Sequence, residues 1–132
     1  MTLYFTRASL VALALFGFSS AAMAQGGGLA SGRMFQEQGG EAIFKGVCQG
    51  CHMPDAKGAV GAGMYPALAK NPKLEVSGYP LSVIVNGQKA MPSFGGMLSD
   101  QQVADVTNYI RTHFGNTYKD KVALADVKAV RP

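Results

Sequence analysis

Both cysteines of this 132-residue sequence and one of its two histidines lie in the stretch CQGCH, residues 48–52. Three kinds of site use two thiols at this spacing. In the first, the thiols of Cys48 and Cys51 each add to a vinyl group of a porphyrin and the imidazole of His52 binds the iron. C-x-x-C-H is the attachment pattern of c-type haem. A thiol–disulfide oxidoreductase site and a zinc site are the alternatives.

The surroundings of CQGCH favour haem over both alternatives. A redox-active C-x-x-C begins a helix, whereas the residues before Cys48 have a helical pattern, so this motif lies at the other end of its helix. A closed zinc site needs four ligands, and outside CQGCH only His113 offers a conventional fourth. A structural disulfide is also a poor explanation, because a bridge between residues 48 and 51 closes too small a loop to stabilise much.

The second axial position of such an iron decides between electron transfer and chemistry on a bound molecule. A methionine thioether closes that position and raises the reduction potential. Five methionines follow position 24: Met34, Met53, Met64, Met91 and Met97. Met91 is the best candidate, because it lies in the turn-rich segment NGQKAMPSFGG and Pro92 restrains it to an extended conformation. Met97 is the second choice.

A helix is predicted before and through the first cysteine, from about Arg33 or Phe35 to Val47. Its apolar face recurs at helical spacing and has these members: Gly40, Ile43, Phe44, Val47 and Cys51. A glycine inside a helix costs about 1 kcal/mol relative to alanine. Close approach of another helix would explain Gly40.

A second long helix is predicted after Ser99, which forms an S-x-x-Q capping box with Gln102. One apolar stripe follows along it: Val103, Val106, Ile110 and Phe114. Arg111 and His113 fall near its negative end, and Gly115 suits the position after that end. His113 is therefore better explained as a helix-end residue than as a metal ligand.

Two further segments have weaker patterns. Residues 80–86 are predicted to form a short helix, with Pro80 at its first position and Gly87 after its end. Three glycines make residues 54–65 a predicted loop.

The stretches GEAIFKGVCQGCH, YPAL and NGQKAMPSFGGMLSDQQVADVTNYIRTHFGN resemble the class I monohaem cytochromes c over residues 33–116. The resemblance implies an all-α fold of about four to five short helices around one covalently bound haem c. It implies His52 and Met91 as axial ligands, and Pro66 as the residue whose carbonyl accepts a hydrogen bond from Nδ1 of His52. Leu68 corresponds to an apolar haem contact.

The same resemblance implies how the two long helices meet. Gly40 and Phe44 match a glycine and an aromatic residue of the N-terminal helix in this family. That helix crosses the C-terminal helix near Tyr109.

The ends of the sequence predict export and an added tail. Residues 1–24 have the order of a secretory signal peptide, with Arg7, an apolar run and the A-x-A site Ala22-Met23-Ala24. Residues 25–32 are expected to form a flexible leader and 33–116 the cytochrome c domain. The extension 117–132 resembles the tail of cytochrome subunits that accompany bacterial periplasmic dehydrogenases. Its apolar residues could pack back as a short helix: Val122, Leu124, Val127 and Val130.

Charge excludes one class of partner, and the resemblance suggests others. The net charge is +4 and the basic residues are spread singly, which does not suit nucleic acid. The resemblance implies a periplasmic electron carrier that is not itself an enzyme. It would take electrons from a flavin- or quinone-dependent dehydrogenase and pass them to an oxidase or another cytochrome of the respiratory chain, with no membrane span after cleavage. A haem enzyme or gas sensor with an open sixth site, and a fixed subunit of a dehydrogenase complex, are the alternatives.

Overall fold

A computed structural model describes residues 34–61 and 63–132. The predicted signal peptide, the leader and Arg33 lie outside these residues. The fold is all-α as predicted, apart from one very small hairpin. Its α-helices are α1 (Gly40–Ile43), α2 (Gln49–His52), α3 (Gly78–Asn86), α4 (Asp100–Thr112) and α5 (Leu124–Val130), with a 3₁₀ helix at Pro72–Leu74.

The N-terminal helical segment begins later and ends later than predicted. A π-helix, Phe44–Cys48, joins α1 to α2, so the segment is continuous from residue 40 to 52. Residues 35–37 are not helical, because the side-chain amide of Gln102 in α4 donates to the carbonyls of Phe35 and Glu37, at 2.8 and 2.9 Å. Of the predicted apolar face, Ile43 and Phe44 are buried, whereas Cys51 is exposed.

Helix α4 begins as its sequence predicts. The Ser99 hydroxyl accepts from the backbone N–H of Gln102 at 3.2 Å, and the Gln102 side chain accepts from the backbone N–H of Ser99 at 2.8 Å. The carboxyl end of α4 differs from the prediction by one residue. His113 is the C-cap, so Phe114, with φ of +57°, occupies the first position after the helix end that was predicted for Gly115, and Gly115 follows it with φ of +80°. Packing of the Phe114 ring against Phe44, at 4.7 Å between ring centroids, stabilises this conformation.

The two long helical segments cross closely at Gly40, as the resemblance implies. A Cβ atom on Gly40 would lie 2.3 Å from the Asp105 carbonyl oxygen and 2.4 Å from the Tyr109 Cβ atom. The rings of Phe44 and Tyr109 are 5.9 Å apart at their centroids. Only a residue without a side chain fits this crossing, which explains the glycine in the helix.

Helix α3 is present as predicted but begins two residues earlier, so Pro80 is its third residue rather than its first. Gly87 follows its end with φ of +76°. The predicted loop 54–65 contains the two-residue strands β1 (Ala59–Val60) and β2 (Met64–Tyr65), which pair antiparallel.

The C-terminal extension packs onto the rest of the protein through α5, which lies against α3 and α4. Val122 and Val127 are buried, whereas Leu124 is exposed and does not pack as predicted. The side chain of Asn108 in α4 pairs with both backbone groups of Val122, at 3.1 and 2.9 Å.

The hydrophobic core lies between α1, α3, α4 and α5. Of its buried apolar residues, only Ala56 and Leu74 come from the described part of the long segment 53–79. Within residues 34–61 and 63–132, no helix has the length and apolar character that crossing a membrane requires.

Candidate functional site

The two cysteines lie at the carboxyl end of the N-terminal helical segment, and both are free thiols. Cys51 is exposed and Cys48 is partly buried. Burial, and to a smaller extent the neighbouring Cys51 thiol, raises the pKa of Cys48 to about 12. Redox-active thiols need a lowered pKa, so this environment does not suit a thiol oxidoreductase.

His113 is not placed to complete a zinc site with the cysteines. Its Nδ1 lies 2.9 Å from the Tyr109 carbonyl oxygen, and its ring stacks on the Tyr109 ring at 4.1 Å. Among the residues described, no three His, Cys, Asp or Glu side chains come close enough together to hold a metal ion. The prediction that His113 is a helix-end residue is confirmed.

His52 is the last residue of α2, and its ring is held in one orientation. The residue is buried, and its Nδ1 donates to the carbonyl oxygen of Pro66 at 2.9 Å. A proton on Nδ1 leaves the lone pair of Nε2 free for a metal. The same bond raises the basicity of the ring, as it does in metal-ligating histidines generally. The contact implied by the resemblance is therefore present, while the iron ligand itself remains a prediction.

The loop after α2 folds back on itself and so brings Pro66 to His52. The carbonyl of Ala56 accepts from the backbone N–H of Leu68 at 2.8 Å, and the N–H of Gly58 donates to the His52 carbonyl at 3.0 Å. A Cβ atom on Gly58, which has φ of +69°, would lie 2.0 Å from the Tyr65 carbonyl oxygen. These contacts fix the Pro66 carbonyl in place.

Two residues of this loop that the sequence analysis did not single out have strained backbones. Met53 and Ala56 have φ of +67° and +56°. Such conformations cost about 1–3 kcal/mol each and concentrate at functional sites. Ala56 carries no sequence signal for this conformation, whereas Gly58 could have been identified as a glycine with a positive φ.

Met91 has a fixed backbone. It closes a tight turn with Gln88 through two mutual hydrogen bonds of 3.0 and 2.9 Å. The hydroxyl of Ser93 donates to the Val85 carbonyl at 2.5 Å and so attaches the loop to α3. Gly87 permits the close approach, because a Cβ atom there would lie 2.8 Å from the Met91 carbonyl oxygen. Both polar groups of the Met91 backbone are therefore used, and its thioether is left as the group with no hydrogen-bonded role.

The residues present fit a haem. Two free thiols, an imidazole with a free nitrogen and the predicted Met91 thioether would form the donor set. Leu68 is partly buried and packs against the core. Five of the seven large hydrophobic side chains exposed in the described residues come from positions 60–79: Val60, Met64, Tyr65, Val76 and Tyr79. A segment with so much exposed apolar surface could pack against a large, flat apolar group such as haem.

Comparison with known proteins also indicates a haem protein. A profile of the family described as "Cytochrome C oxidase, cbb3-type, subunit III" matches residues 35–110. The match covers all predicted site residues: Cys48, Cys51, His52, Pro66, Leu68 and Met91.

The similar proteins include cytochrome subunits of dehydrogenases and a cytochrome c6. The cytochrome c subunit of alcohol dehydrogenase (quinone) from Gluconacetobacter polyoxogenes is 38% identical over 78% of this chain and 24% of its own length. The fructose dehydrogenase cytochrome subunit of Gluconobacter japonicus is 33% identical over 70% of this chain and 22% of its own. The chain thus spans about a quarter of these subunits. Cytochrome c6 of Bumilleriopsis filiformis is 38% identical over 55% of this chain and 86% of its own length.

Proposed function

Because the chain belongs to the cytochrome c family, we propose that it is a one-electron carrier of the periplasm. The observation that carries the proposal is the C-x-x-C-H motif at a helix end, with the histidine ring held by the Pro66 carbonyl. When bound, haem c supplies an iron that gains and loses one electron. The protein holds that group and controls which atoms reach it.

Each site residue has a proposed role. Cys48 and Cys51 hold the porphyrin through thioether bonds. His52 offers Nε2 to the iron, and the Pro66 carbonyl keeps the ring from turning. Met91 offers its sulfur from a turn whose backbone is fixed, so little conformational freedom is lost when it binds.

Dehydrogenases are the proposed electron donors. The names of two similar proteins, cytochrome subunits of alcohol dehydrogenase (quinone) and fructose dehydrogenase, support a dehydrogenase as the donor. A flavin- or quinone-dependent enzyme is the kind of dehydrogenase proposed. The proposed acceptor is an oxidase or another cytochrome. Co-purification with a dehydrogenase at high as well as low salt would indicate a fixed subunit, and loss of the donor at high salt would indicate a free carrier.

Localisation to the periplasm depends on the proposed signal peptide, residues 1–24. Amino-terminal sequencing of the exported protein tests it directly. We expect the mature chain to start at Gln25.

Optical spectra of the pure protein in both oxidation states test the haem and its ligands together. We expect a c-type spectrum that carbon monoxide alters only slowly in the native protein, because the sixth position is closed. Met91→Ala should open that position, so the reduced variant should bind carbon monoxide rapidly. Met97→Ala, which removes the second-choice sulfur, is the matched control and should behave as the native protein.

Two outcomes would contradict the proposal. A colourless exported protein with a reducible Cys48–Cys51 bond would indicate thiol chemistry. Rapid carbon monoxide binding by the native protein would indicate a haem enzyme or sensor with an open sixth site.

A further inference from the structure

Among the described residues, the side chain of the C-terminal extension that hydrogen-bonds to the loop carrying Met91 is Arg131. Its Nη1 donates to the Gly95 carbonyl and its Nη2 to the Leu98 carbonyl, the latter at 2.9 Å. Its Nε donates to Oδ1 of Asp100, the first residue of α4, at 2.5 Å. One guanidinium thus holds the part of the loop that follows Met91 against the start of α4.

The carbonyls that Arg131 holds belong to a segment that is also attached to α3. The backbone N–H of Gly95 donates to the Val85 carbonyl at 3.1 Å. A Cβ atom on Gly95 would lie 2.7 Å from that carbonyl oxygen and 3.5 Å from Nη1 of Arg131. Gly95 is therefore enclosed between α3 on one side and the arginine on the other, and removal of the arginine frees one side.

The helix that precedes Arg131 is held in place by its contacts with the rest of the protein. Val127, one turn earlier in α5, is fully buried. The side chain of Asn86, the last residue of α3, lies 3.4 Å from the Val130 carbonyl oxygen. The side chains of Arg131 and Asp100 are 25% and 27% exposed, so water screens their pairing only in part.

We propose that Arg131 is a positioning residue for the sixth ligand, because it holds residues 95–98 and so keeps the Met91 loop closed against the protein. The proposal rests on the proposed function, in which the Met91 sulfur binds the iron. Hydrogen bonds to charged groups are stronger than neutral ones, and each stabilises more than a neutral pair does. Loss of three such bonds should raise the open population of the loop about tenfold or more.

The test compares full-length haem-loaded proteins that carry Arg131→Ala or Arg131→Lys. Arg131→Ala should weaken the methionine–iron(III) absorption band and speed carbon monoxide binding to the reduced protein about tenfold, in proportion to the open population. It should also speed hydrogen exchange of the Gly95 amide. An ammonium cannot reach three acceptors with fixed geometry, so Arg131→Lys should give a smaller change in each measurement.

Two control variants distinguish a positioning role of Arg131 from a general loss of protein stability. Lys128→Ala removes an exposed positive charge from the same helix, where the structure pairs Lys128 with none of the described residues. Asp120→Asn breaks the other arginine–aspartate pair of the extension, remote from the loop. Both should leave the absorption band and the carbon monoxide rate as in the native protein, even where Asp120→Asn lowers the melting temperature.

The outcomes distinguish the two proposals. If Met91→Ala leaves the ligand field unchanged, the ligand assignment is wrong and this inference fails with it. If Met91→Ala opens the site but Arg131→Ala changes neither the band nor the carbon monoxide rate, only the positioning role is wrong. If Arg131→Ala does not accumulate as haem protein, Arg131→Lys and Asp100→Asn decide, and native behaviour of both would overturn the role.

Discussion

At the residue scale, the side chain with the most demanding environment is Arg111 in α4. It is fully buried and donates to the backbone carbonyls of Leu74, Glu75 and Asp120 and to the Asp120 carboxylate. A buried charge is tolerated only when it is paired and hydrogen-bonded. Arg111 therefore joins the 3₁₀ helix, α4 and the C-terminal extension.

This cluster predicts a specific dependence of stability on pH. Hydrogen bonding to Arg111 lowers the pKa of Asp120 below its usual value. A carboxyl whose pKa is lower in the folded state contributes stability above the unfolded value of about 4, and that contribution is lost as the pH falls through the folded value. Asp120→Asn should therefore be less stable than the native protein at neutral pH, with a difference that shrinks in acid. Denaturant unfolding across the pH range measures it.

Glu41→Gln is the matched control for that experiment. The pKa of Glu41 is also lowered, by its hydrogen bond to Lys45, but both side chains of this pair are 62% exposed. Asp120 is itself 67% exposed, and what distinguishes its pair is that the Arg111 side chain is fully buried. Exposed pairs contribute little and are screened by salt. An equal acid dependence in both variants at moderate salt would contradict the special role of Arg111.

At the scale of elements, the crossing of the first helical segment and α4 depends on Gly40. The Cβ atom of Gly40→Ala would meet backbone and Cβ atoms of α4 rather than a movable side-chain tip. Overpacking of this kind costs about 1–3 kcal/mol. We expect a loss of about 2 kcal/mol in unfolding free energy for the haem-loaded variant, measured by denaturant titration.

Gly78→Ala in α3 is the comparison for that prediction. A Cβ atom at Gly78 meets nothing within 4 Å, so helix propensity alone applies and the variant should be unchanged or more stable by up to about 1 kcal/mol. Equal stability of Gly40→Ala and the native protein would show that the helices separate at low cost.

Local chemistry explains which elements the sequence could predict. The start of α4 follows from Ser99 and Gln102, because a capping box is complete within four residues. The late start of the first helix could not be predicted, since it depends on Gln102 binding carbonyls 65 and 67 residues earlier. The π-helix before α2 was not predicted either, because a search for apolar residues at a period of 3.6 assumes regular α-helical turns.

The residues of the candidate site also differ in whether the sequence alone could predict their roles. His52, Cys48 and Cys51 are adjacent in sequence, so their chemistry could be predicted from spacing. The Pro66 contact came only from the family resemblance, and the structure contains it. Arg131 could not be assigned to the Met91 loop from sequence, because the pairing joins residues 31 to 36 positions apart.

At the scale of the whole molecule, the core is thin where the candidate site lies. The described residues of segment 53–79 contribute only Ala56 and Leu74 to the buried core, while they expose five large apolar side chains. The hydrophobic effect grows with apolar area removed from water. Stability of this segment should therefore depend on the haem that covers it.

The apoprotein tests this dependence. Cys48→Ala/Cys51→Ala protein without haem should be at best marginally folded and lack a sharp thermal transition in circular dichroism. The haem-loaded native protein, as reference, should unfold cooperatively. A cooperative, native-like transition in the double variant would show that the polypeptide core alone is sufficient.

The anchoring of His52 through Nδ1 and of Met91 through both its backbone groups has a consequence for speed. An iron centre whose donors cannot follow a change of charge has little inner-sphere rearrangement to complete before an electron crosses. For the proposed ligands, the exchange rate would then be governed by the separation and the relative potentials of the reaction partners. Rapid electron transfer would then require no conformational change in this chain.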